Sequence, residues 1–434
     1  MNTFKTASLG FQHLLAMYTG AAIVPLIVGG AIGLGPTELA YLVAIDLFMC
    51  GVATLLQVWT TRFTGVGLPV VLGCTFTAVG PMIAIGSANG ITAIYGALIA
   101  SGFIVILISG FVGKLARFFP PVVLGSVVTI IGLSLIPVAI NDIGGGMPGE
   151  PGFASMQNLG LGGLTILLIL ILNRVGTVFT RAAAVLFAVL IGTGVAASLG
   201  LVDFSPVREA GWFQMVQPFY FGMPTFDVSA ILVMTLVAII SMIESTGVFL
   251  ALSDITKKPI GSNELTKGYR AEGVATILGG IFNSFPYTTF SQNVGLVQLS
   301  GVKSRRVIFW TGGLLILLGF LPKVATFTTL IPKPVLGGAM LVMFGTVAAS
   351  GIRILSQVDF SKNENLITIA LSIGVGLGIT ANPAIVANMP EWLQLFTDSA
   401  IVAGSFTALL LNGFFRMMDR FRPATIIAEE RQVS

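Results

Sequence analysis

The sequence predicts an all-α polytopic membrane protein of about fourteen transmembrane segments, arranged as two inverted repeats of seven, with short strands in segments 3 and 10. Three observations carry that expectation. Of the 434 residues 55% are hydrophobic and only 9% charged, against roughly 25% charged in a soluble domain. Lys and Arg collect on one side of the apolar runs. Short motifs of the first half return in the second at a nearly constant spacing. The net charge of +4 on so sparsely charged a chain marks positive-inside loops and argues against a nucleic-acid partner.

In chain order the predicted segments are 9–32, 39–58, 67–85, 91–111, 121–140, 161–172, 182–199, 228–252, 268–282, 286–299, 307–321, 334–349, 366–379 and 400–415. The first is too long for a signal-peptide core and contains the only histidine, His13, beside Gln12. The second holds Asp46, for which no local partner is evident. The third is broken: Gly65, Gly67, Pro69 and Gly73 precede it and Gly80-Pro81 follows. Segments 67–85, 161–172, 268–282 and 286–299 are short or polar for a span of about 20 residues, so they read as half-helices or as helices buried in protein. Residues 202–227, with Arg208, Trp212, Phe219 and Tyr220, form either a cap over the outer face or a simple linker.

Placing both termini in the cytoplasm puts 19 of the 22 basic residues on that side and leaves Arg208, Lys323 and Lys333 outside. Glu38, Asp142, Glu150, Asp203, Glu209, Glu391 and Asp398 fall in the outer loops. Lys114 and its repeat counterpart Lys323 lie on opposite sides, as an odd number of segments per repeat requires. The repeat itself is read from Gly110-Phe111 and Gly319-Phe320 (offset 209), from Phe119 to Gly125 against Ile331 to Gly337 (offset 212), and from Cys74-Thr75-Phe76 against Thr288-Thr289-Phe290 (offset 214). Residues 1–200 are therefore the first repeat, 201–227 an extracytoplasmic linker and 228–434 the second repeat.

The stretch 285–301, FPYTTFSQNVGLVQLSG, has the form of a discontinuous segment: a β-favouring run feeding a half-helix headed by Ser291, Gln292 and Asn293. A Gln-Asn pair in an apolar chain is costly unless it is hydrogen-bonded or faces water or a ligand, and a helix N-terminus offers free N–H groups. Glu244 stands mid-membrane with no nearby cation, so it is protonated, paired or bound to substrate, or else packs by hydrogen-bonding a neighbouring helix. Glu272, two residues after Arg270, reads equally as an interfacial cap or ion pair and as a coupling residue. Thr75 lies in the first break point, and Phe76 and Phe290 come at matching points of the two repeats, where paired rings can stack on a flat solute. His13 is either a packing residue or a donor to the site. Cys50 and Cys74 lie in apolar runs, so no disulfide framework, zinc site or other metal cluster is indicated. Neither a nucleophilic triad nor a phosphate loop is present, which excludes the common hydrolase chemistries and ATP as the evident energy source.

These residues resemble the nucleobase/ascorbate transporters, also called nucleobase:cation symporters. Gln292-Asn293-Val294-Gly295, four residues, then Ser300-Gly301 matches that family's signature with Ser in place of Thr. Gln12-His13, Glu244-Ser245-Thr246-Gly247 and the basic stretch after Gly301 are similar too. The resemblance implies a core domain (about 8–111 and 228–321) moving against a gate domain (about 116–200 and 330–418), a homodimer, and a multi-pass location in the cell membrane. It implies Glu244 and Gln292 as substrate ligands, Phe76 as the stacking ring, and Ser291, Asn293, Phe290, Thr75 and His13 as further site residues. Glu244 and Glu272 become the proton carriers, since Val248 stands where similar members have Asp or His. No cofactor is implied: the proton motive force supplies the energy, with sodium the other coupling ion left open. Gln-Asn resembles the xanthine and uric acid carriers. The alternatives are a uracil or other nucleobase symporter, and an anion exchanger or channel of the same architecture, which would be expected to carry a basic residue near the half-helix N-termini.

Overall fold

The computed structural model describes residues 3–115, 120–390, 394, 397 and 399–419. Arg117, Phe119, Glu391, Asp398, Arg420, Arg422 and Arg431, which entered the charge and repeat readings, lie outside the described residues. The chain runs α1 (Thr3–Ala31), α2 (Pro36–Val58), β1 (Leu72–Cys74), a 3-10 turn (Phe76–Ala78) leading into α3 (Val79–Asn89), α4 (Ile91–Leu115), α5 (Pro121–Gly144), α6 (Met156–Val175), α7 (Val178–Ala182), α8 (Ala184–Ser198) and α9 (Ser205–Glu209). The second half continues with α10 (Val228–Thr256), α11 (Ser262–Ile281), β2 (Tyr287–Thr289), α12 (Ser291–Ser300), α13 (Arg305–Gly319), α14 (Pro322–Thr329), α15 (Lys333–Leu355), α16 (Asn363–Ala381), a 3-10 turn (Pro383–Val386) and α17 (Ala400–Asp419).

The protein is an all-α polytopic membrane protein with one small sheet. Among the described residues nine helices are long and apolar enough to cross a membrane, or ten if α13 and α14, bent by 80° at their junction, count as one span. Each predicted segment contains a helix, but α3, α8 and α12 have 11, 15 and 10 residues and are too short to cross alone. One expectation is corrected: segment 161–172 is not a half-helix but the middle of α6, a 20-residue helix started by Ser155, whose hydroxyl accepts from Asn158 N. Asn158 and the glycines at 160, 162 and 163 dilute its hydropathy without breaking it.

Helix starts follow local chemistry. Asp227 caps α10 by accepting from Ala230 N at 2.8 Å, and Glu38 and Glu264 reach back to Gly35 N and Gly261 N at 2.9 and 2.8 Å. α10 stops at Lys257, which takes a left-handed conformation (φ 59°).

The chain divides into two compact units, Met1–Ala116 with Leu135–Thr346, and Arg117–Ser134 with Val347–Ser434. In the larger, α2 packs on α13 and α4 on α11. The α4–α11 contact is close because a Cβ on Gly102 would lie 2.8 Å from the Gly273 carbonyl, and one on Gly273 2.9 Å from the Gly102 carbonyl. In the smaller unit α16 packs on α17, and a Cβ on Gly351 would lie 2.4 Å from Thr129 N.

β1 and β2 lie inside the larger unit and pair antiparallel, Leu72 with Thr289, Gly73 with Thr288 and Cys74 with Tyr287. Every residue of both strands is buried. Two further bonds flank the ladder, Thr75 N to Pro286 O and Phe290 N to Val71 O, each 3.0 Å. An offset of 215 residues exchanges these two bonds, taking Thr75 to Phe290 and Val71 to Pro286. Structurally, therefore, Phe76 matches Ser291 and Thr75 matches Phe290, one residue out of step with the sequence match. A two-fold between antiparallel strands must preserve the pleat, so backbone pairing and not residue identity sets the equivalence.

Candidate functional site

The two strands end at two helix beginnings. Thr75 caps the first, its hydroxyl accepting from Thr77 N at 3.3 Å and meeting Ser241 Oγ at 3.4 Å. Phe290 precedes α12, and its carbonyl accepts from Asn293 N at 3.2 Å. α10 packs on both beginnings and on β2. Its Glu244 is half-buried, and its one hydrogen bond among the described residues comes from Thr77 Oγ1 to Oε2, at 3.4 Å. At that length the bond is weak, and most of the carboxylate's accepting capacity is uncommitted.

Ser245, the next residue, is fully buried and holds β2: its Oγ lies 3.0 Å from Thr288 Oγ1, accepts from Thr289 Oγ1 at 3.2 Å and receives Thr289 N at 3.4 Å. The carboxylate is thus carried by a helix turn bolted to the strand that leads to Ser291 and Gln292.

Ser291 is exposed and Gln292 half-buried, and the Gln292 amide makes no hydrogen bond among the described residues. Asn293 faces the other way. It is 2% exposed, donating from Nδ2 to His13 O at 3.0 Å and contacting His13 Nδ1 at 3.2 Å, while its Oδ1 has no partner. His13, 3% exposed, is therefore tied to α12 and joins α1 to the site region.

Phe76 meets Phe344 edge-on with centroids 5.5 Å apart and tilts 42° from Phe290 at 6.3 Å. The Phe290 ring is wedged between α1 and β1: an added Cβ on Gly20 or Gly73 would come within 2.7 or 2.3 Å of it. The two rings do not form a parallel pair.

Glu272 is buried, and neither of its carboxyl oxygens has a hydrogen-bond partner among the described residues. Its reading as an interfacial ion pair with Arg270 is corrected: Arg270 turns away to Ser109 Oγ (3.2 Å) and the Phe63 ring (4.8 Å).

Asp46, left without a partner by the sequence, is the most densely bonded side chain nearby. It accepts from Cys74 Sγ and Ser284 Oγ at 2.7 Å, from Tyr287 OH at 3.2 Å and from Cys50 Sγ at 3.7 Å. Thr77 escaped the sequence reading, and Ser245 entered it only as part of the stretch from Glu244 to Gly247, with no role of its own. The only signal for them was a hydroxyl one or two residues from a residue already singled out. Among the described residues no group of three or more His, Cys, Asp or Glu is arranged to hold a metal.

Residues 202–227 do more than connect. Tyr220 stacks on Tyr41 with centroids 3.7 Å apart, Gln214 N reaches Phe320 O at 3.1 Å, and Phe219 N reaches Ile281 O at 2.9 Å. The segment therefore fastens the ends of α2, α11 and α13 to one another.

A family model described as a permease family, Xan_ur_permease, matches residues 4–385. The nucleobase transporter PlUacP of Paenibacillus larvae is 56% identical over 96% of this chain and 95% of that protein. The xanthine permease of Bacillus subtilis is 56% identical over the same shares, and the uric acid permease PucK of that organism 55% identical over 96% of each. Among solved structures, the transmembrane domain of a cyanobacterial bicarbonate transporter, BicA, aligns with a TM-score of 0.60 and 17% identity, covering 95% of this chain and 98% of that one. The murine anion transporter Slc26a9 in its inward-facing state aligns with a TM-score of 0.69 and 12% identity, covering 96% and 69%. At those identities the likeness is one of fold.

Proposed function

The chain belongs to the nucleobase-ascorbate/xanthine–uric acid permease family, and from that premise we propose that it imports xanthine or uric acid by proton symport with alternating access. As a member of that family it is a secondary transporter and not an enzyme. The single observation that carries the substrate reading is the pair of uncommitted groups at the strand-to-helix breaks: the Glu244 carboxylate and the Gln292 amide. A purine dione or trione has a π-face, ring N–H donors and carbonyl acceptors. Glu244 accepts from the ring N–H groups, Gln292 reads an opposite edge with its donor and acceptor, and Phe76 covers a face. Ser291 N–H at the start of α12 meets a ring oxygen, and Thr75, Phe290, Asn293 and His13 shape the surroundings. The relatives named as xanthine and uric acid permeases support the same solute class.

The rest of the proposal follows the repeat. Fourteen segments form the core (about 8–111 and 228–321) and gate (about 116–200 and 330–418), with both termini cytoplasmic, in a homodimer in the cell membrane. Core and gate move against each other as the solute crosses. Glu244 and Glu272 carry the proton, Glu272 because it is a buried carboxyl whose oxygens have no hydrogen-bond partner among the described residues. An anion exchanger is disfavoured because the half-helices open with Phe76-Thr77 and Ser291-Gln292 and no basic residue.

Uptake of labelled xanthine, uric acid and uracil, each with and without a protonophore, tests this. Accumulation of a purine dione or trione that collapses with the proton gradient, and is lost in Glu244→Gln, is expected. Normal uptake by a well-expressed Glu244→Gln variant sinks the mechanism, and uracil as the preferred solute sinks the substrate assignment.

A further inference from the structure

Among the described residues Asp46 is the one fully buried carboxylate outside the proposed solute and proton residues, and its partners are not random. Cys74 is the last residue of β1 and Tyr287 the first of β2, and these two are register partners in the ladder. Cys74, Tyr287 and Ser284 all converge on one oxygen, Oδ1, and Ser284 Oγ is in turn hydrogen-bonded to Tyr287 OH. Cys50, one turn along α2, meets Oδ2. Thr54, a further turn along the same row of α2, holds the opposite rung, its Oγ1 meeting Leu72 N at 3.0 Å and Leu72 O at 3.3 Å. The stripe Asp46, Cys50, Thr54 therefore grips both ends of a ladder only three rungs long. Such a ladder has too few hydrogen bonds to fix its own register.

From this geometry we infer that Asp46 is a positioning residue for the solute site. By clamping the Cys74–Tyr287 rung to α2, it sets where β1 delivers Phe76 and where β2 delivers Ser291 and Gln292. It touches no solute itself. Every one of its partners brings a proton to donate, and a carboxylate, which only accepts, suits that set. A carboxamide suits it less well: it gives up the charge that strengthens each of these bonds, and where its NH2 takes the Oδ2 place it points a donor at Cys50. The inference rests on the reading that Phe76, Ser291 and Gln292 hold the solute.

The test is Asp46→Asn, with uptake of labelled xanthine and uric acid measured against concentration and normalised to folded protein. Loosening the charged clamp is expected to raise KM about tenfold. Vmax per folded molecule is expected to stay within about twofold, because the strands loosen without a loss of the moving parts. A second variant separates positioning from bulk stability. Tyr287→Phe alone is expected to raise KM about two- to threefold, and adding it to Asp46→Asn to raise KM little further, because the two changes remove the same bond. A purely structural residue gives the reverse pattern, less folded protein with KM unchanged. An unchanged KM in folded Asp46→Asn, or effects of the two changes on KM that simply multiply, overturns the inference. Where Asp46→Asn does not fold, Ser284→Ala removes one donor without touching the charge and is expected to raise KM about two- to threefold; no rise overturns it equally.

A readout independent of transport keeps this apart from the purine reading. Cys74 is fully buried and bonded to Asp46. Its labelling by a membrane-permeant maleimide, read by peptide mass spectrometry, is expected to accelerate at least about fivefold in Asp46→Asn, the clamp's loss being worth about 1 kcal/mol or more of local opening. Should the unmodified protein carry no purine at all, the proposed function falls while the labelling still decides the clamp. Labelling at the unmodified rate refutes the clamp whatever the solute.

Discussion

Replacing Gly73 with Ala strains the Phe290 ring, whose seat is defined on two sides by glycines. A Cβ at position 73 lies 2.3 Å from Phe290 Cε2, 2.7 Å from Cδ2 and 3.0 Å from Cζ, so the ring must retreat by roughly 1 Å to reach ordinary contact. Retreat is opposed from α1, where Gly20 approaches so closely that its own added Cβ would stand 2.7 Å from Cε1, and the ring is only 4% exposed. Overpacking of this kind costs about 1–3 kcal/mol. Phe290 is also the residue whose carbonyl opens α12, so moving it displaces the backbone that carries Ser291 and Gln292. Strain in the lower half of that range, relieved by the shift, corresponds to a rise of about tenfold in KM for the transported purine. Concentration-dependent uptake, normalised to folded protein by size-exclusion of a fluorescent fusion, reads this directly. Two companions sharpen it. Gly73→Ala with Phe290→Leu shortens the obstructing ring and is expected to recover most of the loss, while Gly295→Ala, which faces open space, is expected to leave KM alone. A KM within twofold of the unmodified protein for Gly73→Ala, with no benefit from the second change, refutes the idea that the seat of Phe290 fixes the start of α12.

Three further outcomes are expected. Asp227 accepts from Ser229 Oγ at 2.6 Å and Ala230 N at 2.8 Å, and these bonds hold its carboxyl below the ordinary 3.8. Its stabilising contribution is thus complete above the ordinary value and lost as pH falls through the lower folded one. Asp227→Ala is expected to cost about 1 kcal/mol in thermal unfolding at neutral pH, with the gap to the unmodified protein closing below about pH 4; a gap that ignores pH refutes the ionised cap. Glu272→Gln removes a titratable group without removing any hydrogen bond, so folded yield and purine exchange are expected to persist while protonophore-sensitive accumulation disappears, and accumulation that survives takes Glu272 out of the coupling. Asn293→Leu leaves the His13 ring nitrogen unpaired and removes the second bond to the His13 carbonyl, and is expected to lower stability by about 1–3 kcal/mol, read as a drop of several degrees in melting temperature. A melting temperature unchanged by that substitution means the Asn293–His13 bonds contribute nothing.

What was legible in the sequence was whatever depends on near neighbours. The apolar runs, the breaks announced by Gly65, Gly67, Gly73 and Pro286, and the half-helix headed by Ser291 are local signals, and each corresponds to an element. Glu244 stood out because a carboxylate in an apolar run is costly wherever it ends up. Asp46 raised the same alarm, but its partners Cys74, Ser284 and Tyr287 lie 28, 238 and 241 residues away, and no pattern along the chain carries that information. Of the two readings open for Glu272, helical geometry removes the interfacial ion pair, since Arg270 turns to Ser109 while Glu272 is buried. Segment 161–172 was undervalued because hydropathy charges glycines and one Asn against a helix that uses them in its first two turns.

The repeat was legible in its existence and wrong in its phase. Matching Cys74-Thr75-Phe76 to Thr288-Thr289-Phe290 aligns the two phenylalanines at offset 214, yet the ladder exchanges the halves at 215. In an extended strand a slip of one residue sends every side chain to the opposite face, so the error changes chemistry and not merely numbering. With the ladder's phase, the residues that open the two half-helices are Phe76 and Ser291, and those that cap them are Thr75 and Phe290. One half therefore presents a ring where the other presents a small hydroxyl followed by an amide, and the second ring is withdrawn into packing against Gly20 and Gly73. A pseudo-symmetric pair of breaks furnished this way is unsuited to a symmetric clamp of two stacked rings. It suits a flat solute with one face to cover and a polar edge to read. That is also why a substitution at Phe290 should disturb the site through the backbone of α12, while one at Phe76 should disturb it through direct contact.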